Sequence, residues 1–280
     1  MKNRLTKRVI TEEILFLLFT ILMLIPVYYF MVGAFKTRTE IVQHPLTLTI
    51  EMLKNNGLNN FAYVWRRLDI GNALKNNVFI TGACLAIEVV AGSLAGFTFS
   101  RIKRKGFNAL YSFIVTIMVV PFMGCLLAQV IESTQLGIYG SIWAAILILT
   151  AWHLPFTTFL FTEFMAALPK ELEDSAYIDG CSTFGIYSRV FLPLLKPVIA
   201  TCVIRSGMGA WNDFIICDSF LNPTTTPTLM VGLYKFFGSR ASEYGYAFAG
   251  MLIASLPIIV LYVFLQKYFI KGMTAGAVKG

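Results

Sequence analysis

Six long apolar stretches constrain this chain more than any other feature of its sequence. Each has about 20 residues or more, the length that a helix needs to cross the hydrocarbon core of a bilayer. The stretches are 14–35, 78–99, 110–129, 141–163, 194–219 and 246–269. Backbone N–H and C=O groups inside lipid find no water, so each stretch is predicted to form a helix. The sequence therefore predicts an all-α membrane protein with six transmembrane helices.

The scarcity of charge supports this prediction. Charged residues make up 14% of the 280 residues and hydrophobic residues 57%, whereas a soluble domain is typically about a quarter charged. The first stretch follows Lys2, Arg4, Lys7 and Arg8, as the apolar core of a signal peptide would. It is longer than such a core and no A-x-A site follows it, so we predict a retained first helix.

The basic residues predict the orientation of the helices. With the N-terminus inside, the cytoplasmic segments carry Lys2, Arg4, Lys7, Arg8, Arg101, Lys103, Arg104, Lys105, Lys170, Arg189, Lys196, Lys267, Lys271 and Lys279. The outer segments carry Lys36, Arg38, Lys54, Arg66, Arg67, Lys75, Lys235 and Arg240. Most of the outer ones fall in one long loop, where the positive-inside rule counts least. Both termini are therefore predicted to be cytoplasmic, and the net charge of +8 is attributed to topology rather than to nucleic-acid binding.

The sequence lacks the patterns that covalent catalysis requires. No Gly-Lys dipeptide occurs, which excludes a phosphate-binding loop of the GxxxxGK[ST] type. His44 and His153 are the two histidines, too few for a His-rich metal site. The cysteines form no CxxC pair and are expected to be small packing residues; they are Cys84, Cys125, Cys181, Cys202 and Cys217. We expect neither enzymatic activity nor a metal or cofactor bound by this chain.

The segment 166–193, between the fourth and fifth stretches, has the pattern of two short helices. Pro169 stands where a helix would begin, and Gly180 where one would end in a left-handed conformation. Acidic residues fall in the first turns, where the helix dipole favours them: Glu171, Glu173 and Asp174. One face, spaced i, i+3, i+4 and i+7, holds Leu172, Ser175, Ala176 and Asp179. The segment is either a contact surface for a partner or an interfacial helix pair that anchors the bundle.

The amino-acid sequence of this segment resembles the loop EAA-x3-G-x9-I-x-LP of binding-protein-dependent ABC importer permeases. The matching residues are Asp174, Ser175, Ala176, Gly180, Val190, Leu192 and Pro193. Asp174 stands for Glu and Ser175 for Ala, departures that keep the charge and the small size. The stretch Ala210-Trp211-Asn212-Asp213-Phe214 and the tail after Gly272 are similar to permeases of the maltose and multiple-sugar type. The stretch around Pro121 departs from that family's pattern.

This resemblance implies a type I ABC importer permease, with 1–280 as a single transmembrane domain in the bacterial cytoplasmic (inner) membrane. The implied partners are a second homologous permease, two ATPase subunits that bind ATP and Mg, an extracytoplasmic sugar-binding protein and membrane lipid. ATP hydrolysis would then occur in a separate subunit. The outer loops 36–77 and 220–245 are candidate contacts for the binding protein. The residues expected to couple to the ATPase are Glu171, Glu173, Asp174, Ser175, Ala176, Asp179, Gly180 and Pro193.

Ionisable and polar residues inside the stretches are candidates for the translocation path, because such groups are costly in lipid and usually face protein or a cavity. They are Glu88, His153, Arg205, Asn212 and Asp213. Paired polar contacts between helices are the alternative interpretation. At a rise of 1.5 Å per residue, Glu88 lies about 20 Å and Arg205 roughly 14 Å from the cytoplasmic end. We predict that they form an ion pair if their helices are neighbours, with Glu163 as a rival partner for Arg205.

Two points remain open. Gly92 and Gly96 form a GxxxG pattern, which is either a close-packing face or a chance spacing. A self-contained secondary transporter or channel is the alternative function, although the inverted repeats or broken helices expected of one are not evident. A membrane-embedded enzyme would need clustered acids or histidines at one membrane face, which the sequence lacks.

Overall fold

Helices joined by short loops make up the computed structural model, which describes the backbone of residues 2–239 and 244–277. Side chains are described for 9–54, 56–238 and 244–266. Several basic side chains used for the topology prediction lie outside the described residues, as does the end of the tail at 278–280. They are Lys2, Arg4, Lys7, Arg8, Arg240, Lys267, Lys271 and Lys279.

The first half of the chain contains eight helices. These are α1 (Lys2–Gly33), α2 (Arg38–Gln43), α3 (Ile50–Asn56), α4 (Asn59–Arg67), α5 (Ile70–Arg101), α6 (Lys105–Ile117), α7 (Phe122–Gln135) and α8 (Ile142–Ala166). The second half contains α9 (Glu171–Ile178), α10 (Thr183–Gly185), a π-helix (Ile186–Phe191), α11 (Leu192–Leu194), α12 (Lys196–Trp211), α13 (Ile215–Phe220), α14 (Leu229–Ser239) and α15 (Tyr244–Ala277). Within the described residues, the strand-like pairing is an isolated bridge between Gly140 and Leu221.

Four helical segments are long and apolar enough to cross a membrane: Val9–Gly33, Ile70–Arg101, Ile142–Ala166 and Tyr244–Gln266. Two further spans arise if each of two bent helix pairs is counted as one, which gives up to six in the described chain. The predicted all-α membrane fold is confirmed.

The predicted third span, 110–129, is not one continuous helix. It is divided between α6 and α7, whose axes differ by 105°. Pro121 lies at the junction, where it lacks a backbone N–H and disfavours helical geometry at Val120. A hydropathy pattern does not register this break, because the residues on both sides of it are apolar.

The predicted fifth span, 194–219, is also interrupted. The chain enters it through the π-helix and α11, bends by 71° and continues as α12, which ends at Trp211. Pro193 and Pro197 flank the bend, and neither has a backbone N–H to donate to a preceding turn. Asn212 to Phe214 then separate α12 from α13.

Contacts divide the chain into two units. The first comprises Met1–Gly71 and Leu233–Leu256. In it Gly33 of α1 lies against the ring of Phe248, and Asn60 donates to the carbonyls of Ala34 and Lys36, at 2.9 Å each. The side chain of Lys36 is fully buried, and its Nζ donates to the carbonyls of His44 and Pro45 at 2.6 and 3.2 Å.

Burial lowers the pKa of Lys36, and the nearby Glu40 carboxylate opposes that shift. Glu40 also closes a capping box with Thr37 at the start of α2. The chain that leaves α1 is therefore held by hydrogen bonds to backbone carbonyls as well as by buried apolar side chains such as Ala34 and Ile41.

The second unit comprises Asn72–Gly232 and Pro257–Gly280. One apolar cluster joins α5, α8, α12 and α13 around Ile146, Leu149 and Phe220. A second cluster joins α5, α8, α9, the π-helix and α12 around Phe161, Ile186 and Phe191. The segment that follows α8 is thus continuous with the core of this unit.

Contacts between α5 and α8 recur every four residues along both helices. We call this set of contacts the α5–α8 seam; on α5 it consists of Glu88, Gly92 and Gly96. Glu88 faces His153, Gly92 faces Thr157 and Gly96 faces Phe161, each pair 65 positions apart in sequence. A constant offset means that the two helices run parallel. A Cβ added to Gly96 would lie 2.6 Å from the Cβ of Phe161 and 3.0 Å from backbone atoms, so the GxxxG pattern is a close-packing face.

Candidate functional site

The helix α9 ends as its sequence predicts. Gly180 has a φ of 78°. Its N–H donates to the carbonyl of Tyr177, and the N–H of Cys181 donates to the carbonyl of Ala176, both at 3.0 Å. These two bonds form a Schellman motif, which requires a left-handed residue and therefore favours glycine. Pro169 precedes α9 by two residues rather than opening it.

The two sides of α9 have different environments. Ala176 is buried in the second apolar cluster, and Glu173 faces the bundle with a side chain 25% exposed. Tyr177, Ile178 and, beyond the turn, Phe184 are 57%, 87% and 69% exposed. We call these three residues the apolar triad. Of the predicted coupling residues, Ala176 and Glu173 thus face inward, while Glu171, Asp174, Ser175, Asp179, Gly180 and Pro193 are exposed.

The second half of the segment is embedded in the bundle. Ser182 caps α10 by accepting from the N–H of Gly185 at 3.2 Å. In the π-helix, Phe191 is fully buried and Tyr187 is 7% exposed. The Tyr187 hydroxyl lies 2.8 Å from Oγ of Ser93 on α5. An interfacial helix pair resting on the bundle would not bury these side chains, so that alternative does not describe this half.

Arg101 is the last residue of α5 and contacts three other elements. From the sequence alone it was counted only among the basic residues that predict the orientation of the helices. Its guanidinium Nη2 donates to the carbonyls of Met165 and Leu168, at 2.7 and 3.0 Å. Its Nε lies 3.8 Å from Oε2 of Glu173 on α9. Its Cζ lies 4.7 Å from the ring centre of Phe191. The side chain is 5% exposed.

A polar cluster lies inside the predicted spans, at the end of the α5–α8 seam where Glu88 faces His153. Glu88 is fully buried, with Oε1 lying 3.2 Å from Nδ1 of His153 and Oε2 accepting from the Thr157 hydroxyl at 3.2 Å. Both carboxylate oxygens therefore have a partner. The opposite side of the His153 ring lies against Gly209 of α12, where an added Cβ would be 3.0 Å from Nε2.

The predicted Glu88–Arg205 ion pair is wrong. Glu88 is paired with His153, and Arg205 is exposed, with its Cζ 3.9 Å from the ring centre of Phe156. Glu163, the rival, accepts from the Tyr111 hydroxyl at 3.0 Å. Depth along the helices was compatible with the pair, but the side chains leave their helices in different directions.

The other two candidate path residues lie at the break after α12. Asp213 accepts from the N–H of Cys217, in the first turn of α13, at 2.9 Å. Asn212 is exposed. Asn77 of α5, which sequence reasoning missed, donates to the carbonyl of Trp211 at 3.0 Å and accepts from the N–H of Leu229 at 2.9 Å. This buried amide holds the end of α12 beside the start of α14.

Exposed residues toward the C-terminal end of α12 follow one face, with the spacing i, i+3, i+4 and i+7. They are Arg205, Met208 and Gly209 of α12 and Asn212, the residue that follows the helix. A face that carries a cation and an amide is ill-suited to lipid. Among the residues that the structure describes, no group of three or more His, Cys, Asp or Glu side chains could hold a metal ion. The geometry thus offers a polar face at the end of α12 and, at α9 and α10, a segment with exposed apolar side chains.

Comparisons with known proteins agree with these features. Residues 88–275 match the protein family described as the binding-protein-dependent transport system inner membrane component. The melibiose/raffinose/stachyose import permease protein MelC of Bacillus subtilis (strain 168) is 36% identical over 79% of this chain and 81% of that protein. The probable ABC transporter permease protein YurM of the same organism is 32% identical over 94% and 86%.

A solved structure shares the fold. It is a bacterial ABC transporter involved in the import of the acidic polysaccharide alginate, with a TM-score of 0.77, 19% identity and coverage of 94% of this chain and 98% of that one. The fold is therefore that of a type I ABC importer permease. The chain belongs to the family of binding-protein-dependent transport system inner membrane components.

Proposed function

We propose that this chain is a membrane-spanning subunit of an ATP-driven sugar importer in the bacterial cytoplasmic membrane. It acts as one permease domain over 1–280 and forms the translocation pathway with a second homologous permease. Its conformational change is coupled to that of two ATPase subunits. ATP and Mg are bound by those subunits, where hydrolysis occurs. Relatives named for sugar import, such as MelC, support the substrate class.

The observation that carries the coupling role is the apolar triad. Tyr177 and Ile178 are exposed on α9, outside the membrane-capable helices, and Phe184 is exposed at the start of the bent pair that begins at Thr183. On the other side of α9, Ala176 is buried. A surface rich in exposed aromatic and aliphatic side chains is typical of a protein contact. The triad and the acidic first turn of α9 are thus proposed to dock on an ATPase subunit.

The exposed face of α12 supports a role in the path. We assign Arg205 and Asn212 to the wall of the pathway or its boundary with the second permease. Glu88 lies behind that wall and holds His153, while Asp213 shapes the break after α12. The outer loops 36–77 and 220–245 remain the proposed contacts for an extracytoplasmic sugar-binding protein.

The test is co-purification of a tagged form of the chain from its native membrane, followed by sugar uptake in proteoliposomes. An ATPase subunit should co-purify with the wild type and be lost from Ile178→Asp and Phe184→Asp. Asn108→Asp is the matched control, since it adds the same charge at an exposed residue near the same predicted membrane face. Uptake without any ATPase would contradict the proposal and favour a secondary transporter or channel.

Two further variants test the turn and the acidic end of α9. Gly180→Val places a β-branched residue at a φ of 78°, at a cost of about 1–2 kcal/mol or more. Asp174→Lys reverses the charge of the first turn. Both should lose uptake, either because the complex dissociates or because ATP is hydrolysed without transport. Normal uptake in both would show that this segment is not the coupling element.

A further inference from the structure

Two polar contacts connect the segment 166–193 to α5, and they lie at different depths. The first is Arg101, which lies near Glu173 of α9 and the ring of Phe191 while it donates to the carbonyls of Met165 in α8 and Leu168 just after it. The second is the bond between Ser93 and Tyr187 of the π-helix. Eight residues of α5 separate the two contacts, about 12 Å along the helix axis.

We propose that Arg101 and Tyr187 are positioning residues that make α9 and the α5–α8 pair move as one body during transport. This inference rests on the proposed function, because it explains how a displacement of α9 would reach the spans. A single contact transmits a push but allows rotation about it. Two contacts about 12 Å apart restrict that rotation to the line that joins them.

Burial makes these contacts rigid. Arg101 is 5% exposed and Tyr187 is 7% exposed, so water does not compete well for their donors and acceptors. Arg101 donates to the carbonyl of Met165 in the last turn of α8 and to that of Leu168 just after it, where the last carbonyls of a helix have no partner within the helix. Arg101 therefore joins the ends of α5 and α8 and adds α9 to them.

The contact with Glu173 has room to change. Nε of Arg101 has no hydrogen-bond partner among the described residues, and Glu173 Oε2 lies 3.8 Å from it. An approach of α9 by about 1 Å would bring the pair to hydrogen-bond distance. A docked ATPase subunit that presses α9 toward the bundle would therefore tighten this contact rather than break it.

The experiment uses the full importer complex in proteoliposomes and measures sugar transported per ATP hydrolysed. Arg101→Met removes the donors but keeps an unbranched side chain, and Tyr187→Phe removes only the hydroxyl. Both should retain the ATPase subunit and its hydrolysis, while the ratio falls by at least about fivefold, the lower end of a typical coupling free energy between two sites. Arg101→Lys, which keeps a charged donor, should recover part of the ratio.

The matched control is Arg104→Met, the same substitution three residues later at an exposed arginine. An unchanged ratio in Arg101→Met and Tyr187→Phe, or an equal fall in Arg104→Met, would overturn the inference. If Arg101→Met does not assemble, the sugar transported per ATP hydrolysed is compared between the wild type, Arg101→Lys and Tyr187→Phe. An unchanged ratio in both variants would then overturn the inference.

Amide hydrogen exchange of α9 in the purified complex measures the attachment separately. Exchange over 171–178 should be faster in Arg101→Met than in the wild type and unchanged in Arg104→Met. Unchanged exchange in Arg101→Met overturns the inference even if an ATPase is bound. Faster exchange in a chain that co-purifies with no ATPase would instead overturn the proposed function and leave the attachment standing.

Discussion

The helices α1 and α8 are both apolar enough to cross a membrane, yet they are packed in opposite ways. None of the most apolar window of α1 is buried within the chain, whereas 56% of that of α8 is buried. The α1 segment is also the more hydrophobic of the two. In water the more hydrophobic helix would be expected to be the more buried one.

The difference teaches that contact inside a membrane is decided by shape and by polar groups. The buried side of α8 includes Thr157, Thr158 and Thr162, and the α5 residues opposite it include Gly92 and Gly96. The exposed surface of α1 consists of large side chains such as Phe16 and Leu18. Lipid solvates such side chains as well as protein does, so hydrophobicity gives them no reason to be inside.

The largest expected effect is at the glycines of the α5–α8 seam. Gly96→Ala should lower the free energy of unfolding by about 1–3 kcal/mol, because the new Cβ would meet the backbone around Phe161. The measurement is thermal unfolding of the complex in detergent. Gly82→Ala on the same helix is the control, since its Cβ would meet nothing within 4 Å. Equal losses of stability at Gly96 and Gly82 would contradict the contrast between α1 and α8, because close packing against α8 would then not matter.

Removing the polar cluster should have a similar or somewhat smaller effect. Glu88→Leu leaves His153 Nδ1 and the Thr157 hydroxyl without their partner, at a cost of about 1–3 kcal/mol in the same unfolding assay. Glu88→Gln keeps one acceptor and should cost less. A charge exchange with Arg205→Glu should not rescue Glu88→Arg, and a rescue would show that the two residues meet in the assembled transporter.

A smaller effect is expected at the aromatic contact of Arg205. Phe156→Leu removes the ring under the guanidinium but keeps an apolar side chain, which should cost about 0.5–1 kcal/mol. Sugar uptake should change more than stability, because a freed Arg205 would move within the proposed path. Phe159→Leu, three residues along α8, is the control. An unchanged uptake in Phe156→Leu would remove Arg205 from that path.

The smallest effect is expected on α1. Leu18→Ala shortens a side chain that is 58% exposed and should change the unfolding free energy of the complex by no more than about 0.5 kcal/mol. A loss comparable to that of Gly96→Ala would mean that a partner subunit, rather than lipid, covers this part of α1. That result would reverse the contrast between the two helices.

The sequence predicted what depends on one helix at a time. Long apolar stretches identified the spans, and the spacing from Asp174 to Gly180 identified a helix that ends in a glycine turn. Such features follow from local backbone chemistry, which is readable along the chain. The breaks in the predicted third and fifth spans were the exceptions, since hydropathy along the chain does not register a change of helix direction.

What the sequence could not predict depends on the rotation of one helix against another. Apolar residues surround α8 on all sides, so no stripe indicates which side faces α5. Depth alone placed Glu88 within reach of Arg205, while His153 was its actual partner. Arg101 was read as a topology signal for the same reason, because its contacts lie on α8, α9 and the π-helix.

The apolar triad has a consequence for the supply of this subunit in the cell. Tyr177 and Ile178 lie outside the membrane-capable helices and Phe184 lies at the start of a bent helix pair, and the chain leaves more than half of each residue exposed. An uncovered aromatic surface in water promotes aggregation and recognition by proteases and chaperones. An orphan copy should therefore be short-lived, and a pulse-chase comparison should show a longer half-life when the docking subunit is co-expressed. Degradation of unassembled copies would then keep the amount of this subunit matched to that of its docking partner.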